Sequence, residues 1–407
     1  METIKTIYRI GHGPSSSHTM GPKKAAEIFL NENPDFSDYR VTLYGSLAAT
    51  GVGHLTDKAV LDVFKDKNTE LIWEKDIFLD LHPNALKIEA LKDGKIIKEE
   101  TFYSIGGGKI ITDNRSFDSV EDIYPFNTMH DILKYCNTNG KQMWEVAFEF
   151  EKPDLEEYLY KVWEVMKASI SRGLLNEGAL PGGLNLPRKA SAIHTKANSL
   201  KTSLRRLALL FSYALAVAEE NAGGGEIVTA PTCGSSGVLP ALLYYLQNLH
   251  DYDESKIIKA LATAGLIGAV VRHNASISGA EVGCQGEIGT ACAMASGAAT
   301  QLFGGTIFQV EYAAEMGLEH HLGLTCDPVK GLVQIPCIER NVFATSRALT
   351  HNTYAILSDG RHRISFDEVV EVMKKTGKDM PKLYKETSEG GLAMFDGLVD
   401  DCCSECK

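Results

Sequence analysis

Cys284 in EVGCQGEIG, Cys326 in LTCDP and Cys337 in IPCIERN are the residues of this chain best suited to chemistry. Forty-two positions separate the first two and eleven the second two. They form no Cys-x-x-Cys pair among themselves, so zinc-knuckle and thioredoxin-type readings do not apply to them. Each lies among Gly, Pro and polar residues, the composition of turns that present a thiolate. Three thiolates fall one short of a closed tetrahedral zinc site, but they can hold a cubane iron–sulfur cluster with one iron left open. An open iron is a Lewis acid that polarises a substrate oxygen without redox chemistry. Spacing alone favours the plainer alternative, buried cysteines that pack as small hydrophobes.

A second group is Ser15, Ser16, Ser17, His18 and Thr19, bounded by Gly and Pro with Gly21 close behind. Consecutive hydroxyls and backbone N–H groups can receive a carboxylate there if a helix starts at Pro22. The alternative is an ordinary N-cap serine. His54 in GSLAATGVGHLTDKAV, a lone histidine beside glycines, reads by itself as a surface or hydrogen-bonded residue. Asn274 and Arg340 are polar groups near the cysteine segments, able to stabilise developing charge.

The elements that must position these residues divide by composition. Residues 1–150 read as mixed α+β. Arg40–Tyr44 and Ile77–Leu81 are β-like runs, and Ala85–Lys92 and Ile96–Ser104 flank Asp93-Gly94, a hairpin signal with type I′ preference. From Pro153 helical periodicity dominates. Asp154 and Glu157 suggest a capping box ahead of a helix that Gly173 ends, Leu200–Ala222 reads as a second helix, and Ser365 with Glu368 opens a late one. The expected fold is α+β, with an N-terminal domain over 1–150 and a mostly helical domain over 151–407 that holds all three cysteines.

The whole-chain properties limit the partners. A net charge of −12 without a long basic run argues against nucleic acid and anionic membranes. The uncharged stretch Ile288–Val310 has the 23 residues a membrane span needs, but it is rich in Gly, Ala, Ser and Thr and reads as a buried helix pair. Nine cysteines, an odd count, and no secretory signal point to a reducing cytoplasmic setting with free or metal-bound thiols. The Gly/Ala-rich helices suit packing against a second subunit, so a homo-oligomer, a dimer, is expected.

The blocks GPSSSHTMGPKKAA (13–26), NASISGAEVGCQGEIG (274–289) and EHHLGLTCDPVKGLVQIPCIERN (319–341) closely resemble the iron–sulfur L-serine dehydratases in their single-chain form. The similarity runs from about residue 8 to residue 393. It implies a small regulatory-type, serine-binding α+β domain followed by a helical cluster-binding domain. It further implies a 4Fe-4S cluster on Cys284, Cys326 and Cys337, no pyridoxal phosphate, and L-serine as substrate. The SSSHT motif would hold the substrate carboxylate through Ser15, Ser16, Ser17 and Thr19. His54 would be the general base, with His18 as a second catalytic histidine. By its spacing alone Asp57, three residues on, can orient the imidazole where the geometry allows. Asn274, Ser276, Ser278 and Arg340 match segments near the cleft. In the tail VDDCCSECK, Cys406 best fits a cysteine that caps the open iron at rest, with Cys402 and Cys403 as alternatives. The rival functions are a cluster-based iron or redox sensor and the same lyase chemistry on L-threonine.

Overall fold

The computed structural model describes residues 1–117, 122–386 and 390–395. The tail cysteines Cys402, Cys403 and Cys406, and with them the expected cap, lie outside the described residues. The strands are β1 (Ile10–His12), β2 (Asp38–Tyr44), β3 (Asn68–Glu74), β4 (Ala85–Lys92), β5 (Lys95–Ser104), β6 (Ile110–Thr112) and β7 (Glu226–Val228). The architecture is α+β, a small sheet domain joined to a larger helical body.

Five strands form one sheet in the order β3-β2-β4-β5-β6, parallel only between β2 and β3. Alternation along the strands sends Tyr39, Val41 and Leu43 of β2, Leu86, Ile88 and Ala90 of β4, and Phe102 of β5 to one face. There they pack with Ala25, Ala26 and Phe29 of the helix Gly21–Glu32. Phe29 meets Tyr39 and Phe102 edge-on, each at a centroid distance of 6.4 Å. The β4–β5 turn holds Asp93 at φ 52° and Gly94 at φ 73°. Positive φ at both residues is the type I′ geometry that Asp-Gly favours.

The expected strand at Ile77–Leu81 is absent. Ile77, Phe78 and Leu81 are exposed in a loop. The strand beside β2 is β3, which runs through Leu71 and Trp73 at the sheet edge. An edge strand is only partly buried, so its alternation is weaker than the continuous apolar run that follows it.

In the helical body, Leu155–Leu175 packs against Thr202–Ala222. Asp154 makes no side-chain cap; it pairs instead with Lys5 at 2.6 Å. Gly173 does not end its helix. It lies inside it, where a Cβ would run into the backbone of Ala216, so glycine lets the two helices approach. Ser365 and Glu368 do form the expected reciprocal capping box, opening Phe366–Asp379.

The uncharged stretch becomes two helices, Thr290–Leu302 and Ile307–Glu319. Every residue from Thr290 to Thr300 is buried. Gly297 faces Ile267, and Gly317 faces Ala293. These small residues are thus spent on close packing within the chain. Among the described residues no helix is long and apolar enough to cross a membrane.

The buried clusters divide the chain differently from composition. Met1, Ile4, Ile7 and Tyr8, together with the helices Met129–Asn139 and Met143–Phe150, belong to the helical core, whereas the sheet domain's core spans Ala25 to Ile110. β1 pairs antiparallel with β7, Ile10 opposite Val228. The chain therefore starts in the helical body and crosses to the sheet domain through residues 13–20, which carry the SSSHT motif.

Candidate active site

Ser15 caps a turn over Ser16–Met20 that runs directly into the helix Gly21–Glu32. The Ser15 hydroxyl accepts from the His18 N–H at 3.1 Å. The turn begins wider than an α-helix and starts before Pro22, the opening expected from sequence. The first N–H groups of a helix lack intrahelical acceptors, so those of Ser16 and Ser17 are open to an anion.

His54 lies in the connection between β2 and β3, just before the helix Thr56–Val63. Two threonines tie this connection to the serine turn. Thr19 donates to the His54 carbonyl and Thr56 to the His18 carbonyl, each at 2.6 Å. The His18 and His54 rings lie 4.4 Å apart. His54 Nδ1 sits 3.0 Å from Thr50 Oγ1, and that hydroxyl donates to the Ser46 carbonyl at 2.9 Å. Thr50 therefore accepts from Nδ1–H, which leaves Nε2 as the lone-pair nitrogen. Thr50, not Asp57, orients the ring; Asp57 Oδ1 is buried without a hydrogen-bond partner among the described residues. Burial lowers His54 to about 4 and holds His18 well below the usual imidazole range, so both are neutral at pH 7.

One cavity between sheet domain and helical body is lined by Ser15, Ser16 and Ser17, by His54, and by Cys284, Cys326 and Cys337. Gly106 and Gly107, both at positive φ, bring the β5–β6 turn to its rim beside Ser278. Of the other sequence candidates, Ser278 lines the cavity and Ser276 supports it by accepting from the Ser278 N–H at 3.0 Å. Arg340 donates to the Thr325 carbonyl at 2.7 Å and faces the cysteines electrostatically. Thr19 spends its hydroxyl on His54 and on the Ser15 N–H. Asn274 is turned away, donating to the carbonyls of Asn127 and Val270. It closes the end of its helix and is not among the residues that line the cavity, where the sequence expectation places it.

Residues 85–393 match the family described as serine dehydratase alpha chain, and residues 3–65 match serine dehydratase beta chain. The L-serine dehydratase of Streptomyces coelicolor is 41% identical over 96% of this chain and 98% of its own. L-serine dehydratase 2 of Escherichia coli strain K12 is 40% identical over 97% and 99%. The chain belongs to the serine dehydratase family. It carries both of that family's halves in one polypeptide, and the central sheet draws β2 from the beta-chain match and β4 to β6 from the alpha-chain match.

The donor set fits an iron–sulfur cluster. Cys284 and Cys326 are close enough to share ligand geometry with Glu287, their donor atoms lying within 4.8 Å of one another, and Cys337 lines the same cavity. All three cysteines are buried and unpaired. The hydrogen bond that the Cys326 thiol donates to Cys284, and then burial, push Cys326 well up, and burial together with the Cys284 charge does the same to Cys337. Three thiolates so close are costly without positive charge between them, which iron supplies.

Sequence reasoning missed two carboxylates. Glu287 is partly buried, accepts from Thr232 Oγ1 at 2.7 Å, and is pushed up to about 7, chiefly by burial. Glu386 stands beside Ser17 and His18 and is likewise raised to about 7, by burial first and the nearby Cys284 second. Glu287 lies three residues after Cys284, in the turn Gln285–Gly289, so its proximity was a visible signal. Glu386 has no local motif; only the fold brings it to the cavity.

Proposed function

We propose that this protein is an L-serine ammonia-lyase, converting L-serine to pyruvate and ammonia. The observation that carries the reading is the convergence of three buried cysteines, an oriented neutral histidine and a serine-rich helix start on one cavity, in a chain of the serine dehydratase family. Cys284, Cys326 and Cys337 would hold a 4Fe-4S cluster, which when bound supplies a Lewis acid to draw off the substrate's β-hydroxyl.

The remaining steps belong to the chain's own residues. The N–H groups of Ser16 and Ser17, with the hydroxyl of Ser15, receive the substrate carboxylate at the positive end of the helix. Neutralising that carboxylate makes the α-proton easier to remove. His54 Nε2 takes the proton, and Thr50 holds the ring in the tautomer that leaves this nitrogen free. The proton arrives on an imidazole whose burial opposes charge, so the new cation is stabilised by Glu386, whose carboxylate oxygen lies within 4.8 Å of a ring nitrogen of His54 and of His18. Loss of hydroxide gives aminoacrylate, which tautomerises and hydrolyses in water. The six unpaired cysteines among the described residues support a reducing, cytoplasmic setting.

The test is an anaerobic assay of reconstituted protein with L-serine, with and without pyridoxal phosphate. Pyruvate and ammonia in equal amounts, independent of pyridoxal phosphate, support the reading; no pyruvate under either condition contradicts it.

A further inference from the structure

We infer that Glu386 receives the α-ammonium group of the substrate and so makes the site select an amino acid over the corresponding hydroxy acid. This rests on the lyase reading above. A Cα carries four substituents, and that reading assigns three: carboxylate to the serine turn, α-proton to His54, and hydroxymethyl toward the cysteines. The ammonium group must then face the remaining polar wall, and Glu386 stands there.

Glu386 lines the cavity with only 16% of its side chain exposed. Ser17 Oγ donates to its Oε1 at 3.4 Å, so it adjoins the carboxylate-receiving turn. Its ion-pair neighbour among the described residues is His18, also at 3.4 Å, whose ring is buried and neutral and gives no compensating charge. The adjacent Lys385 sends its Nζ to the Gly377 carbonyl, away from the site. An enclosed carboxylate lacking a cation is costly, and a substrate cation offsets that cost. Glu287, the other carboxylate on this wall, is already engaged: Thr232 holds Oε1, and Oε2 faces the sulfurs of Cys284 and Cys326 at 3.8 and 3.9 Å. Glu386 is also fixed in place. The Cys326 N–H donates to the Tyr384 carbonyl at 2.8 Å, which ties this segment to the cysteine segment. Residue 386 itself adopts φ 49°, uncommon for a residue with a side chain.

The test compares wild type, Glu386→Gln and Glu386→Asp as anaerobically prepared holoenzymes. It measures KM and kcat for L-serine and the inhibition constant of L-glycerate, which carries a hydroxyl in place of the ammonium. Glu386→Gln should raise KM for L-serine roughly 10- to 100-fold, lower kcat by less, and move the L-glycerate constant by no more than about threefold. Glu386→Asp, which keeps the charge, should fall between. An unchanged KM in an active Glu386→Gln enzyme overturns this inference alone. So does an equal loss of L-serine and L-glycerate binding, the mark of a merely structural role. Wild-type protein that makes no pyruvate overturns the lyase reading and this inference with it.

Discussion

The chemistry at the level of single residues turns on which atom of His54 is free. Thr50 uses its proton on Ser46 and its lone pair on Nδ1, so Nε2 is the nitrogen left to serve as base in the proposed reaction. Replacing His54 with Asn should lower kcat by roughly 10²- to 10⁴-fold, the usual contribution of a general base, while the visible absorption of the cluster is retained. Thr50→Val should lower kcat about 10-fold by releasing the tautomer, whereas Asp57→Asn should change it by less than about threefold. Steady-state kinetics on the two variants separate the ring's true partner from the one that spacing suggests. The motif residues were legible because turn-forming neighbours surround them: three cysteines among Gly and Pro, and hydroxyls before a helix start. Asp57 misled because it sits three residues from His54 in sequence, whereas the ring contacts Thr50, one helical turn back. Glu386 was illegible because its role depends on the chain folding back against the Cys326 segment.

At the level of elements, glycines decide how closely the parts approach. Gly173→Ala would place a methyl against the Ala216 backbone and force the helices Leu155–Leu175 and Thr202–Ala222 apart. Overpacking of this kind costs about 1–3 kcal/mol, visible as a lower denaturant midpoint. Gly94→Ala meets no neighbour within 4 Å but must adopt φ 73°, so it should cost roughly 1–2 kcal/mol through backbone strain alone. The β4–β5 hairpin and the box-capped helix at Ser365 were readable because their signals are local. The helix at Gly173 was misread for the converse reason: a glycine needed for packing looks in sequence like one that stops a helix. The strand at β3 was hidden because an edge position blurs its alternation.

For the molecule as a whole, stability should depend on pH through groups of opposite sign. His54 and His321 are lowered by burial to about 4, and His351 to about 3. Each has a folded pKa below its unfolded value near 6.5, so its contribution is complete above that pH and is lost as pH falls toward the folded value. Glu287, Glu315 and Glu386 are raised and pull the other way, their cost easing as pH falls. The wild-type profile is therefore a near balance, and a single variant exposes one side of it. His351, packed with Ser296 and Cys292 in the helical core, is the test. Denaturation of the cluster-free protein at several pH values should show wild type losing about 2 kcal/mol relative to His351→Gln between pH 7 and 5. The division into an α+β part and a helical part was visible in composition. That the first residues belong to the helical core was not, because the pairing of β1 with β7 joins segments more than two hundred positions apart.

The most direct test of the central claim is one paired measurement made without oxygen: cluster absorption and pyruvate release from L-serine, in wild type and in Cys284→Ala. A coloured wild-type protein that forms pyruvate, with both properties lost in Cys284→Ala, is the predicted result. A Cys284→Ala protein that still turns over L-serine would contradict the account, because the cysteines would then hold nothing the reaction requires.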